Sequence, residues 1–225
     1  MPRRQPTPLP VHDDGPTVLF GGTFDPVHRG HVTLGDAARR AAGDNAGLVF
    51  VPAARSPHKD RGPAASGADR TRMLAVATAE LDRCGVWTEE IDRAAEPDGP
   101  SYWIDTLDAA RSERRSDHDL RFVLGADQVL AFPRWHRWRE ILELAEPVVL
   151  AREPLGDAAA LLDAMAAQPA WDGFDRDAWA ARVVPVGVLP YSATAIRAAL
   201  ARGDDDIPGL DPRVHAYIRD RGLYA

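Results

Sequence analysis

An α/β fold, a Rossmann-like doubly wound parallel sheet with helices on both faces, is what this sequence predicts, and three observations carry the prediction. Short apolar runs of the kind found in strands buried on both faces recur, as at 48–52 and 147–151. Between them lie stretches of helical composition ended by glycine or proline. Strand and helix alternate without an internal repeat or a clear linker, which calls for parallel strands and right-handed crossovers.

Taken in order, 18–22 reads as a buried strand and a glycine turn, and 31–42 as a helix stopped by Gly43. The second strand is 48–52. Its exit, 53–68, is a loop by its Pro, Gly and Ser content. Met73, Leu74, Ala77 and Leu81 share one face of a helix over 70–81. A third strand is expected over 86–91, a turn over 97–100, and a helix from a Ser101 cap to about residue 115. Residues 121–125 are the next strand, with a short helix after Ala126; 138–145 is helical and 147–151 a strand. An Ala/Leu-rich helix spans 155–168, and 169–180, with Trp171, Phe174 and Trp179, has no assignable element. A last strand over 183–188 precedes helices at 193–201 and 212–221.

At 225 residues the chain suits one large domain over 17–225, elaborated at about 153–182, and its 45% hydrophobic content is ample for a core. Residues 1–16 are rich in proline and polar groups and read as a flexible tail. A net charge of −7 argues against a general nucleic-acid surface. No apolar run approaches the length that spans a bilayer, so no membrane role is expected. The single cysteine, Cys84, excludes an intrachain disulfide, fits a reducing cytoplasm and reads as a small buried hydrophobe.

Chemistry concentrates at the first strand's exit, Gly21-Gly22-Thr23-Phe24-Asp25-Pro26-Val27-His28-Arg29-Gly30-His31. The glycines permit a sharp turn and close approach of a ligand. Gly30 and His31 open a helix whose N–H groups and dipole suit an anion, and two imidazoles three positions apart can donate to phosphate oxygens. A half metal site is the competing reading, but no Cys or further His stands at ligand spacing nearby. In such sheets ligands bind at the carboxyl ends of the strands, where this turn lies.

The stretch resembles the Gly-Gly-Thr-Phe-Asp-Pro-x-His-x-Gly-His signature of the nucleotidyltransferase α/β phosphodiesterase superfamily and, within it, of the bacterial nicotinate-nucleotide adenylyltransferases. Further segments carry the resemblance. His58 and Lys59, in Ser56-Pro57-His58-Lys59-Asp60, match a family Pro-His-Lys segment that reaches nucleotide phosphates. Ser192, Thr194 and Arg197 match an Ile-Ser-Ser-Thr-x-Ile-Arg motif, with Tyr191 and Ala193 as departures. Hydroxyls, helix N–H groups and a guanidinium together make an anion cradle, although Ser192 alone reads as a helix cap. Gly125 and Asp127 match a Gly-x-Asp of the nucleotide pocket; without the resemblance, Asp127 reads equally as a helix cap.

Trp135 and His136 fall where the family contacts the nicotinate base, while Trp138, three residues on, reads as core. Ser101-Tyr102-Trp103-Ile104-Asp105-Thr106-Leu107 resembles a Ser-Tyr-Thr-x-Asp-Thr-Leu segment, with Trp103 replacing a base-binding threonine. The resemblance implies transfer of AMP from ATP to nicotinate mononucleotide, giving deamido-NAD and pyrophosphate. His28, His31, Lys59 and Arg197 would be catalytic. Gly21, Gly22, Thr23, Phe24, Asp25, Gly30, His58, Gly125, Asp127, Ser192 and Thr194 would bind ATP, and Trp103, Trp135 and His136 the acceptor. Mg²⁺ would bind mainly through ATP phosphates, with no protein ligand. Another acceptor (nicotinamide mononucleotide or phosphopantetheine), cytidylyl transfer, or nucleotide sensing without catalysis are the alternatives. Oligomeric state is not readable.

Overall fold

The structure, a computed structural model, describes residues 8–10, 14–55, 62–94, 101–113, 119–151, 155–187 and 189–225. His58, Lys59 and the turn expected at 97–100 lie outside the described residues. Six strands form one parallel sheet: β1 (Thr17–Gly22), β2 (Gly47–Pro52), β3 (Cys84–Val86), β4 (Leu120–Gly125), β5 (Glu146–Ala151) and β6 (Val183–Pro185). Their order across the sheet is β3-β2-β1-β4-β5-β6. The chain therefore winds outward from β1 in one direction, then returns to β1's other side and winds the opposite way.

Because successive side chains alternate between faces, an all-apolar strand feeds two cores. Leu19, Val49, Val51, Phe122 and Leu124 enter one cluster, with Trp87 and Leu107. Val18, Leu48, Phe50 and Val123 enter the other, with Leu74, Ile196 and Val214. Each such fully buried Val, Leu, Ile or Phe contributes about 1.5–3 kcal/mol.

Helix α1 (Arg29–Ala42) follows β1 directly. Helix α2 (Gly67–Ala77) begins and ends earlier than composition indicates, because Ser66 caps it, its Oγ accepting from the Asp69 N–H at 3.1 Å. The expected strand over 86–91 is corrected: β3 covers only Cys84–Val86, and Glu89–Arg93 is helix α3. Parallel pairing to Val49 and Phe50 supports only that short edge, and the acidic Glu89, Glu90 and Asp92 favour a helix's first turn. Helices α4 (Trp103–Glu113), α5 (Ala126–Ala131) and α6 (Trp138–Leu144) follow, with a 3₁₀ turn over Phe132–Arg134.

Helix α7 (Ala158–Ala166) is shorter than expected and is capped by Asp157. The segment left unassigned contains a 3₁₀ turn, Pro169–Trp171, and α8 (Arg176–Ala181), whose Asp175 side chain caps it by accepting from Ala178 N–H. β6 stops at Pro185, on the sheet's edge, short of the expected 188. Helices α9 (Ala193–Arg202) and α10 (Pro212–Asp220) complete the fold. Leu9 packs on the first cluster, and Asn45 Nδ2 donates to the Asp14 carbonyl at 2.9 Å.

Candidate active site

The order of the strands reverses between β1 and β4, and a cavity of about 520 Å³ opens at their carboxyl ends. Gly21, Gly22, Thr23 and His31 line it from the turn after β1, and Gly125 and Asp127 from the exit of β4. Trp103, Trp135 and His136 add an aromatic wall. The structure brings these nine residues, far apart in sequence, to one cavity.

Two of the glycines are there for space. A Cβ at Gly21 would stand 2.6 Å from the Trp103 ring, and one at Gly125 would stand 2.7 Å from Asp127 Oδ1. The bare backbone lets the indole lie against β1 and the carboxylate fold back over the end of β4.

His28 and His31 stack face to face, ring centroids 3.7 Å apart. The His28 N–H donates to His31 Nδ1 at 3.3 Å, which leaves the imidazole proton of neutral His31 on Nε2. Burial drives the His28 pKa down to about 4, so this imidazole is neutral near pH 7, and its Nδ1 is buried without a partner among the described residues. Of the N–H groups opening α1, that of Arg29 donates to the Gly209 carbonyl at 2.8 Å and that of His31 to the His28 carbonyl at 2.9 Å. Of the two imidazoles, His31 lines the cavity, whereas His28 is buried behind it and stands outside the cavity wall. Phe24, at a left-handed φ of 48°, buries its ring edge-on to His31 with centroids 5.0 Å apart. Its role here is to hold His31 in place.

Asp25 does not line the cavity. Its Oδ2 accepts from the Ala64 N–H (2.7 Å), and its Oδ1 from the Ala65 N–H (3.1 Å) and the Tyr224 hydroxyl (2.6 Å). Gly30, Ser192, Thr194 and Arg197 also stand outside the cavity wall. Ser192 caps α9, its Oγ accepting from Ala195 N–H at 3.1 Å. Arg197 donates to the Asp25 carbonyl at 2.5 Å and to Thr194 Oγ1 at 3.4 Å, which ties the cradle to the histidine turn.

The aromatic wall is braced from behind. Phe132 packs against Trp135, Trp138 and Trp171, and Trp171 in turn against Trp179, with centroids 4.9–6.5 Å apart. Trp138, expected in the core, is half-buried and packs against it, and the segment after β5 supplies the buttress. Trp103 Nε1 is buried with no partner among the described residues.

Sequence reasoning missed Tyr102, Arg55 and Glu90 on the cavity wall. Tyr102 lies in a quoted motif, and its ring meets His136 with centroids 4.3 Å apart. Glu90 falls within the strand expected over 86–91 and stands instead on α3. It is buried, accepts from Thr106 Oγ1 at 3.0 Å, and has its pKa pushed up to about 7 by burial.

A glycine turn and paired imidazoles beside a cavity at the sheet's reversal point suit the binding of a nucleotide's phosphates. The Cytidylyltransferase-like family matches residues 19–199. Bacterial proteins named "Probable nicotinate-nucleotide adenylyltransferase" match almost throughout. The protein of Laribacter hongkongensis is 38% identical over 214 residues, covering 92% of this chain and 93% of its own. That of Pseudomonas paraeruginosa is 39% identical over 212 residues, covering 92% and 95%. That of Acidithiobacillus ferrooxidans is 36% identical over 222 residues, covering 95% and 97%. A solved structure, Plasmodium falciparum nicotinic acid mononucleotide adenylyltransferase complexed with NaAD, shares the fold with a TM-score of 0.65 at 14% identity, over 93% of this chain and 97% of that one. The chain belongs to the Cytidylyltransferase-like family and, within it, to the nicotinate-nucleotide adenylyltransferases. It is a nucleotidyltransferase enzyme.

Proposed function

We propose that the enzyme transfers AMP from ATP to nicotinate mononucleotide in the cytoplasm, forming deamido-NAD and pyrophosphate. The observation that carries this reading is His31 on the cavity wall, whose Nδ1 accepts from the His28 backbone N–H, so that Nε2 carries the proton a phosphate can accept. An oxygen of the acceptor phosphate attacks the α-phosphorus of ATP. The new P–O bond forms as the bond to the β-phosphate oxygen breaks, and its electron pair leaves on pyrophosphate. A phosphate monoester is largely dianionic near pH 7, so no protein nucleophile is required.

Positioning and charge stabilisation then supply catalysis. His28 and His31 serve the α and β phosphates. Arg197, Ser192 and Thr194 with the α9 N-terminus hold the triphosphate, joined by His58 and Lys59. Gly21, Gly22, Thr23 and Gly30 give the phosphates access, and Phe24 and Asp25 shape the turn. Gly125 and Asp127 take the ATP ribose, while Trp103, Trp135 and His136 hold the acceptor base. Mg²⁺ would be held mainly by phosphate oxygens and water, with no protein ligand assigned. When bound, it offsets charge on those oxygens.

Pyrophosphate release from ATP or CTP, measured with nicotinate mononucleotide, nicotinamide mononucleotide and phosphopantetheine, tests the reading. The expected maximum is ATP with nicotinate mononucleotide. A maximum with CTP or another acceptor overturns it, and release with none of them leaves nucleotide sensing.

A further inference from the structure

Three segments that are remote in sequence converge on Asp25. Its carboxylate receives Ala64 and Ala65, just downstream of His58 and Lys59, and Tyr224, beyond α10. Its carbonyl receives Arg197 of α9. Two residues back, the Thr23 carbonyl accepts from Arg70 of α2 at 2.8 Å, while Arg70 Nε donates to the Ala65 carbonyl at 3.3 Å. Asp25 is only 5% exposed and Arg70 2%, so both stand at the buried end of these bonds.

We propose that Tyr224 is a positioning residue for ATP: its hydroxyl, acting through the Asp25 carboxylate, holds the histidine turn in register with the Arg197 cradle. This deepens the adenylyl-transfer reading and rests on it. A carboxylate held by two adjacent backbone N–H groups can still tilt about that edge; a third donor from a different direction fixes its plane. Hydrogen bonds to a charged acceptor are the strong ones, and the Tyr224–Asp25 contact at 2.6 Å is short. Burial and the neighbouring carboxylate raise the phenol pKa, so Tyr224 remains a donor throughout the working range. Moving the turn moves His28 and His31 together with the carbonyl that anchors Arg197. All these groups are assigned to ATP, so the acceptor subsite is spared.

A built-in comparison exists on α10. Tyr217 donates to Asp69 Oδ1 on α2 at 2.8 Å, a bond of the same kind that does not touch the histidine turn. Tyr224→Phe and Tyr217→Phe each remove one hydroxyl and keep the ring. Tyr224→Phe is expected to lower kcat/KM for ATP about tenfold, as loss of a hydrogen bond to a charged group does, while KM for nicotinate mononucleotide stays at the wild-type value. Tyr217→Phe is expected to keep both constants despite a similar loss in melting temperature. Calorimetric titration with ATP alone reads the same difference as affinity, and does so even for a chain that turns over no acceptor, so failure of the proposed reaction is seen separately. Unchanged ATP constants in Tyr224→Phe, equal losses in both variants, or a loss confined to the acceptor would overturn the proposal.

Discussion

The histidine turn and the aromatic wall share one cavity and are built in opposite ways. In the turn Asp25, Arg70 and Arg197 are bonded to remote parts of the chain, and the result is a rigid frame. The aromatic wall is held by ring packing, with Phe132 and Trp171 behind it, and Trp103 Nε1 is left without a partner among the described residues. Directional bonds fix where charge is met, whereas dispersion and area are indifferent to small changes in a ring's substituents. Damage to the turn should therefore appear in rate, and damage to the wall in the choice of acceptor.

The largest effect expected of that contrast is at His31. His31→Ala should lower kcat by roughly two to three orders of magnitude, the usual cost of removing a preorganised donor to developing charge. Its melting temperature should stay near wild type; near wild-type turnover in the folded variant would sink the assignment. Next is Arg197→Lys. An ammonium cannot reach the Asp25 carbonyl and Thr194 Oγ1 at once, as the guanidinium fork does. ATP affinity measured by titration should fall about tenfold, and unchanged affinity would make Arg197's fork irrelevant.

At the wall, Trp103→Thr should move the preference for nicotinate over nicotinamide mononucleotide by about tenfold at most, the worth of one neutral hydrogen bond. Steady-state kinetics with both acceptors measures it, and a ratio that does not move would put Trp103 outside the base pocket. The smallest effect is on stability, where the two regions titrate in opposite directions. Folded Glu90 keeps its proton to about pH 7, whereas an unfolded glutamate loses it near about 4.3. Between these values the folded state binds more protons, so stability falls as pH rises. His28 is the reverse: folded, it gains its proton only near pH 4, so stability falls as pH drops below the histidine range. Melting temperatures across pH should show Glu90→Gln gaining on wild type from about pH 5 to about pH 8, by on the order of a few °C. Parallel curves would show that Glu90 is ionised in the folded protein.

What was legible in the sequence follows the same division. Buried strands announce themselves by composition, and the β1 turn by its glycines and histidines, so the sheet and the lining residues Gly21, His31, Asp127 and Trp135 were readable. Asp25 looked like a ligand group because it sits inside the motif. Its partners stand 39, 40 and 199 residues away, beyond any local pattern. Glu90 was lost with the strand expected over 86–91: apolar Val86, Trp87 and Ile91 outweighed an acidic run that fits a helix start. Ser66, Asp157 and Asp175 were visible caps left unread, and α8 could have been placed from Asp175 alone.

The placement of the indoles gives the molecule two optical channels. Trp103 and Trp135 border the cavity, whereas Trp87, Trp171 and Trp179 are at most 4% exposed. On the proposed acceptor assignment a pyridine ring entering the site meets Trp103 and Trp135, so its arrival is expected to quench part of the emission without shifting the rest. Unfolding brings the deep set into water and moves the spectrum to the red. Occupancy and integrity are thus readable from one cuvette, with no label added.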